Sequence, residues 1–209
     1  GGPTWGVPDG RQALDFDGTN DYVSMGNPTS TRLNGNVSVA AWVYPKSTRR
    51  LAIVAHATGS WAFWVIMFSF GSNSKLSFWN SAAGPAVTSP DALSLNQWYH
   101  FAGIRSAAGV EIFINGASVA TAAGATGSGS ITGSELAIGR FGSYSGYYSS
   151  SSIADTRIYD RALSPQEIRT LAQRPGIAYE LAPRKFYSLP AAASSRQYRL
   201  FRPSILRGA

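Results

Sequence analysis

The chain has 209 residues, of which 44% are hydrophobic and 12% aromatic, and this composition excludes a wholly disordered protein. It has no cysteine and no apolar run near the ~18 residues of a membrane-spanning helix, so disulfides, thiolate catalysis, cysteine-bound zinc and a helical membrane span are excluded. The net charge of +7 lies almost entirely in residues 172–209, which carry seven basic groups and one acidic group, so it says little about the partners of the nearly neutral body.

Short strand patterns separated by turn residues recur through the first 160 residues, and with 22 glycines and 11 prolines they favour an all-β fold. Alternation in Asn36–Tyr44 places four small apolar side chains on one face and Trp42 and Tyr44 on the other, so both faces are expected to be covered. The predicted strands are Arg11–Phe16, Tyr22–Met25, Asn36–Tyr44, Leu51–Ala55, Trp61–Phe70, Lys75–Asn80, Trp98–Ile104, Val110–Ile114, Ala117–Thr121, Leu136–Arg140 and Ile153–Tyr159.

Two local signals are specific. Asn115-Gly116 lies between two strand patterns and predicts a hairpin with a type I′ turn, because that turn needs positive φ at both central residues. Ser164, Pro165 and Glu167 form a capping box with proline at the first helical position, so one short helix is predicted to begin there and to end before Pro175. About ten short strands with one helix predict an antiparallel two-sheet jelly-roll sandwich.

Residues 174–209 form a basic tail rich in proline, arginine and aromatic residues, without a sustained helical or strand period. Arginine and aromatic side chains are enriched in protein interfaces, whereas evenly spaced rather than clustered basic residues argue against nucleic acid. We therefore predict that the tail docks on neighbouring protein subunits. The predicted docking residues are Arg184, Lys185, Phe186, Tyr187, Arg196, Tyr198, Arg199, Phe201 and Arg202.

Six segments in order resemble a laminin-G-like, concanavalin A-like jelly-roll domain. They are ALDFDGTNDYVSMG (13–26), VSVAAWVYP (37–45), NQWYHFAGI (96–104), VEIFINGASVA (110–120), LAIGR (136–140) and SIADTRIYDRALSPQEI (152–168). The resemblance implies a domain over residues 11–173, with residues 1–10 as a lead-in and 174–209 as the tail. It is specific for fold and weak for function, since this fold hosts lectins, glycosidases, adhesion modules and virion proteins.

The chain departs from the family in two places. The family has a further strand with a tryptophan before the FDG segment, and only GGPTWGVPDG precedes Arg11. We expect either that an upstream piece was removed or that a neighbour supplies the strand, because an unpaired sheet edge would otherwise be exposed. The segment before Ile153 is also serine-rich, where the family often has an aromatic, acidic and glycine turn.

Catalytic patterns are weak. Glycosidases of this fold use a Glu-x-Asp-x-x-Glu strand, which the chain lacks, and the Asp15/Asp17 pair is better explained by an Asp-Gly turn with Asp15 exposed. His56 and His100 have no metal-ligand spacing, although a triad assembled in space stays open. His100 matches the family's Trp-x-His strand motif, which favours a packed, hydrogen-bonded residue. No phosphate-binding loop is present, and residues 124–133 are expected to form a flexible surface loop.

Calcium is a candidate ligand, because relatives of this fold often hold it with turn carboxylates, although no cofactor is required. The residues to test are Asp17, Asn20, Asp21 and Asp155, with Asx-turn capping as the favoured alternative.

Glycan or protein contact is predicted for tyrosines set among serine and glycine, a composition typical of adaptable binding loops, with an inert loop as an equal alternative. The candidate ligand-binding residues are Tyr144, Tyr147, Tyr148 and Trp61.

The sequence thus favours a non-catalytic recognition or structural module of an exterior assembly, such as a virion or cell-surface structure, anchored through its tail. The alternatives are a carbohydrate-binding lectin-like module and, with less support, a glycoside hydrolase. Extracellular, cell-surface or virion localisation is expected, with subunits and glycans as partners and no membrane span.

Overall fold

The computed structural model of the protein describes residues 2–31, 33, 35–49, 51–58, 61–68, 73–79, 85–124, 134–142 and 147–176, with backbone alone at 31, 58, 61–68, 85 and 86. In these residues the chain forms thirteen strands and one α-helix. The elements are β1 (Thr4–Gly6), β2 (Ala13–Asp17), β3 (Val23–Ser24), β4 (Val37–Pro45), β5 (Leu51–Thr58), β6 (Trp61–Phe68), β7 (Leu76–Trp79), β8 (Pro85–Thr88), β9 (Tyr99–Ser106), β10 (Gly109–Ile114), β11 (Ala117–Ala123), β12 (Glu135–Ile138), β13 (Ser150–Tyr159) and α1 (Pro165–Gln173).

The strands form two antiparallel sheets. One has seven strands in the order β1-β2-β13-β4-β9-β10-β11, and the other has six in the order β3-β12-β5-β6-β7-β8. Some neighbours in each sheet are far apart in sequence, as β2 beside β13 and β3 beside β12 show. This arrangement confirms the predicted antiparallel two-sheet sandwich.

The main core lies between the two sheets, and the sequence alternation explains which residues enter it. Val37, Val39, Ala41 and Val43 of β4 are all buried, as the period of two in a strand predicts. They belong to a cluster that joins both sheets through large aromatic and aliphatic side chains. The largest fully buried members of that cluster are Phe16, Phe78, Phe101, Leu51, Ile53, Leu76 and Ile112.

The helix packs on the outer face of the seven-stranded sheet and forms a second, smaller core. Its predicted capping box is confirmed, since the Ser164 side chain accepts from Glu167 N and the Glu167 carboxylate accepts from Ser164 N. Ile168 and Leu171 are the buried residues of the helix. They pack with sheet residues Ala40, Ala102, Ile104 and Phe113 and with Leu163.

The hairpin between β10 and β11 turns at the predicted Asn-Gly pair. Asn115 has φ 52° and Gly116 has φ 82°, as a type I′ turn requires. A side chain at Gly116 would also lie 3.0 Å from the Cα of Arg169 in α1. The turn therefore needs glycine both for its backbone conformation and for the close approach of the helix.

Two expectations from the sequence are corrected, one at a sheet edge and one in the interior of the seven-stranded sheet. The chain itself supplies a strand before the FDG segment, because β1 contains Trp5 and pairs with β2 from Thr4↔Asp15 to Gly6↔Ala13. The strand predicted to begin at Ile153 begins earlier, at Ser150, so serines of this segment are strand residues. Ser149, Ser151 and Ser152 are fully buried, and the hydroxyls of Ser149 and Ser151 lie 2.6 Å apart.

Contacts divide the chain into two units, Gly1–Ile177 and Ala178–Ala209. The second unit, with all nine predicted docking residues, lies outside the described residues, as do residues 125–133 of the predicted flexible loop. No helix in the described part of the chain is long and apolar enough to cross a membrane.

Candidate functional site

The predicted tyrosine surface is divided between two neighbourhoods. The Tyr147 ring lies 5.6 Å from the Phe141 ring, over the alanines on the outer face of β5 in the six-stranded sheet. Tyr148 instead faces Tyr22 at 6.3 Å and hydrogen-bonds Arg140. Tyr144 lies outside the described residues, and for Trp61 the structure describes the backbone alone, at the start of β6 opposite Thr58.

Three of the four candidate calcium ligands share one turn after β2. Asp17 Oδ1 accepts from the backbone N–H of Thr19 at 2.7 Å and of Asn20 at 3.3 Å, while Asp21 Oδ2 accepts from Asp17 N at 3.1 Å. The hydrogen bond from Thr19 is the main reason that the pKa of Asp17 lies below its usual value. These contacts form the Asx-capped turn that the sequence offered as the alternative to a metal site.

The fourth candidate ligand, Asp155, lies far from that turn. Asp17 pairs with Ser150, and Asp155 is five residues further along β13, which corresponds to about 16 Å. Both Asp155 oxygens accept from Arg157 at 2.8 Å, and Oδ2 also accepts from Gly176 N. The structure therefore does not bring the four donors together. No group of three acidic, histidine or cysteine residues among the described residues could hold a metal ion.

The Asp15 carboxylate is not fully exposed, contrary to the expectation from sequence. It forms an ion pair with Lys46 and accepts from the Ser152 hydroxyl at 3.1 Å. It is therefore part of the polar network on the outer face of the seven-stranded sheet.

The two histidines occupy separate buried positions. His56 Nε2 lies 2.8 Å from the Ser134 hydroxyl, and both side chains are buried between β5 and β12. This contact brings a serine and a histidine together, but burial keeps the hydroxyl away from solvent. His100 lies on the other sheet, in β9, opposite Trp42 of β4.

A site that the sequence did not identify surrounds His100 on the outer face of the seven-stranded sheet. It consists of Arg11, Trp42, Tyr44, Trp98 and His100, and we refer to it as the Arg11 cluster. The Arg11 guanidinium carbon lies 3.9 Å from the centre of the Trp42 ring and 5.2 Å from that of Trp98. Edge-to-face contacts of 5.5 Å join Trp42 to His100 and Tyr44 to Trp98.

Strand geometry and one backbone carbonyl position these side chains. Trp42 and Tyr44 are the outward residues of β4, and His100 is the outward residue of β9 that pairs with Trp42. The Pro8 carbonyl accepts from both Trp98 Nε1 at 2.9 Å and Arg11 N at 3.1 Å. The lead-in before β2 is thereby fixed against Trp98, which places the Arg11 side chain over the indole rings.

Burial determines the charge state of the cluster. It lowers the pKa of His100 from 6.5 to about 4, an effect that the Asp155 carboxylate opposes and that Arg157 and Arg11 reinforce. His100 is therefore neutral at pH 7. Burial also lowers the pKa of Arg11, although a guanidinium remains charged at that pH. For Asp155, burial would raise the pKa, but the hydrogen bonds from Arg157 and Gly176 outweigh it and hold the pKa below its usual value.

Three polar atoms of the Arg11 cluster are buried without a hydrogen-bond partner among the described residues. They are Arg11 Nε, Trp42 Nε1 and His100 Nδ1. An unpaired buried polar group costs about 1–3 kcal/mol, so such atoms are rare in native proteins and point to a missing partner. Three of them lie in one cluster whose Arg11, Tyr44 and Trp98 side chains are only half-buried, which makes it the candidate binding site.

The sequence indicated part of the Arg11 cluster. The alternation of Asn36–Tyr44 placed Trp42 and Tyr44 opposite the core face, but it left open whether a helix, another segment or a ligand covers them. Arg11 carried no pattern of its own, because its position over the rings depends on the path of residues 8–11.

Comparison with known proteins identifies the same fold. The model of the concanavalin A-like lectin/glucanases superfamily, Laminin_G_3, matches residues 17–169, which is most of the chain. The chain belongs to this superfamily. The resemblance drawn from the six sequence segments is confirmed, and the sandwich is a laminin-G-like domain. No curated protein matches the chain.

Solved structures are similar to this laminin-G-like domain at low identity. Domain 4 of an extracellular GH43 arabinanase from Geobacillus stearothermophilus, in complex with arabinotriose, is 19% identical, with a TM-score of 0.62 over 83% of this chain and 82% of that one. A heptameric pentraxin from Limulus polyphemus is 19% identical, with a TM-score of 0.56 over 66% of this chain and 69% of that one.

Trypanosoma rangeli sialidase in complex with sialic acid is 16% identical, with a TM-score of 0.61 over 77% of this chain. The match spans only 27% of the sialidase chain. At these identities the similarity supports the fold of the laminin-G-like domain and leaves its ligand to be argued from its own residues.

Proposed function

We propose that the protein is a non-catalytic glycan-recognition module and that the Arg11 cluster binds the glycan. The observation that carries this proposal is the Arg11 guanidinium, which joins none of the ion pairs of the described residues and lies over two indole rings. Small-molecule sites combine aromatic surface with a few polar groups that fix orientation. Sugar hydroxyls would accept hydrogen bonds from the part of Arg11 that is not buried, and the half-buried Tyr44 and Trp98 would supply aromatic contact.

The carboxylates of the described residues favour binding over hydrolysis. A glycoside hydrolase needs one carboxyl group that stays protonated as general acid beside a second, ionised one. Two carboxylates are instead held below their usual pKa by arginine side chains, Asp155 by Arg157 and Glu167 by Arg161. The hydrogen bond from Arg161 contributes most to lowering the pKa of Glu167 to about 2. Neither of these two groups is suited to donate a proton at neutral pH.

A glycan array followed by affinity measurement on two matched variants tests the proposal. We expect Tyr44→Ala to weaken binding of the best array ligand at least tenfold, because it removes an aromatic contact of the Arg11 cluster. Tyr148→Ala, which removes a tyrosine of similar exposure from the Tyr22 neighbourhood, should leave the affinity unchanged. Circular dichroism melting checks that both variants fold.

The possible outcomes test the location of the site and the proposed function separately. Loss of binding in Tyr148→Ala alone would move the site to the tyrosine surface predicted from sequence. An array without any bound glycan would contradict the proposed function itself.

The basic tail supports a second proposal, a place in an exterior assembly. Residues 172–209 hold seven basic groups and one acidic group, whereas residues 1–171 hold 11 and 10. A neutral domain with a basic aromatic extension fits a module that docks on neighbouring subunits at a cell surface, on a virion or in another extracellular assembly.

We expect that replacing Arg196, Arg199 and Arg202 with serine in the full chain abolishes co-purification with those subunits. The matched control replaces Arg49, Lys75 and Arg169, three cations of the domain, and should leave co-purification intact. Equal recovery of both variants would contradict tail docking.

A further inference from the structure

We infer that the glycan recognised by the Arg11 cluster carries a carboxylate and that this group binds Arg11. The inference rests on the proposed function and deepens it to a class of ligand, the acidic sugars. It comes from the hydrogen bonding of Arg11, which differs from that of five other arginines in the described residues.

Five other described arginines donate to a definite acceptor. Arg105 donates to the backbone carbonyls of Leu33 and Gly35, and Arg169 donates to the Gln166 side chain. The remaining three are paired with carboxylates: Arg140 with Glu135, Arg157 with Asp155 and Arg161 with Glu167. Arg11 belongs to none of the ion pairs of the described residues, and its buried Nε has no acceptor there.

The contacts that Arg11 does make leave its donors free for a ligand. A cation over an aromatic ring interacts through its charge with the face of the ring. The contact with Trp42 at 3.9 Å therefore holds the guanidinium over the ring without supplying a hydrogen-bond acceptor for its N–H groups. Those groups form a planar fork that matches a carboxylate with two parallel hydrogen bonds. Trp42 and Trp98 would hold this fork in place before the ligand arrives.

The surrounding charges favour an anion. The acidic group whose charge acts on Arg11 is Asp155, and its two oxygens already accept hydrogen bonds from Arg157 and from Gly176 N. His100 is neutral at pH 7, so it neither repels nor replaces an anion there. A carboxylate, which only accepts hydrogen bonds, would bind the Nη donors of Arg11 and place a second negative charge beside the guanidinium, whereas a neutral hydroxyl adds no charge.

The test uses the full chain and an array of paired glycans. Each chain that contains uronic or sialic acid is printed beside its carboxyl-reduced twin, with sulfated neutral chains as a third set. We expect at least tenfold tighter binding of a carboxylated chain than of its twin. Arg11→Gln should remove that preference, and Arg11→Lys should retain part of it because the charge remains and the fork is lost. Arg169→Gln removes the same charge from an exposed helix position and should leave the preference unchanged.

The two proposals fail in different ways. If the unaltered protein binds carboxylated glycans and their carboxyl-reduced forms equally, the inference is overturned and glycan recognition stands. This comparison does not depend on the folding of any variant. A preference for the sulfated set alone would overturn the carboxylate assignment. A preference that survives in folded Arg11→Gln would overturn the role of Arg11. If no glycan of any of the three sets binds, the proposed function is overturned.

Discussion

Gly103→Ala should lower the free energy of unfolding by about 3 kcal/mol. Gly103 lies in β9, in the centre of the seven-stranded sheet, where it pairs with Val39 and Ile112. A Cβ atom there would lie 2.2, 2.7 and 3.0 Å from three ring atoms of Phe78, a β7 residue of the opposite sheet. Phe78 is fully buried, so its ring cannot move away without displacing its own neighbours.

Denaturant unfolding of Gly103→Ala and of a matched glycine variant measures this effect. At Gly35, an added Cβ would meet nothing within 4 Å, so Gly35→Ala should change the free energy of unfolding by less than about 0.5 kcal/mol. If the clash with Phe78 is the cause, Phe78→Leu in the Gly103→Ala background should cost less than it does alone, because leucine leaves room for the new methyl group. A Gly103→Ala variant as stable as the original protein would show that the two sheets can shift apart at this point.

Gly103 also illustrates which parts of the fold the sequence could predict. Alternation in 36–44 and the Asn115-Gly116 pair depend on near neighbours in sequence, and both predictions are confirmed. The need for glycine at 103 depends on a phenylalanine 25 positions away on the other sheet. Strand patterns show which face is buried, but they do not show which opposing side chain reaches a given position.

Two edge strands that the sequence did not predict also depend on contacts with other parts of the fold. Thr4–Gly6 and Pro85–Thr88 are short and contain glycine or proline, which lower strand propensity. Both form because a neighbouring strand, β2 or β7, offers a hydrogen-bonding edge. The serines at the start of β13 likewise have low apolar content and become strand residues because β2 and β4 flank them. Pairing with an adjacent strand therefore outweighed local composition at all three places.

The candidate site was harder to predict than the fold because it joins residues from three segments, 11, 42–44 and 98–100. Trp42 was visible as an outward residue of a strand, and His100 as part of a Trp-x-His pattern. Arg11 reaches them only because the Pro8 carbonyl ties the lead-in to Trp98. The tyrosine-rich stretch was conspicuous in composition, yet Tyr147 and Tyr148 have different neighbours in the structure. Composition thus identified aromatic residues, whereas three-dimensional packing determined which of them share a surface.

The neutral, buried state of His100 should make the protein less stable as the pH falls from 6.5 to 4. The pKa of His100 is about 4 in the folded protein, because burial disfavours the charged ring, and 6.5 when exposed. Above pH 6.5 the ring is neutral in both states, so its contribution to stability is fully present. Between pH 6.5 and 4 the unfolded chain binds a proton that the folded protein does not, which favours unfolding. Below pH 4 both states are protonated and the loss stays constant, at about 3 kcal/mol.

Other groups also titrate in this range, so the test compares the protein with His100→Phe, which keeps an aromatic ring against Trp42 without the titrating nitrogens. The free energy of unfolding of His100→Phe relative to the original protein should rise by about 3 kcal/mol between pH 7 and pH 4. An NMR titration of the His100 ring in the folded protein gives its pKa directly and includes the influence of Asp155, Arg157 and Arg11. A difference between the two proteins that stays flat with pH, together with a His100 pKa near 6.5, would contradict the burial argument. A carboxylated ligand bound to Arg11 should raise this pKa, because it places a negative charge beside the ring, so the same titration with ligand tests the electrostatics of the whole Arg11 cluster.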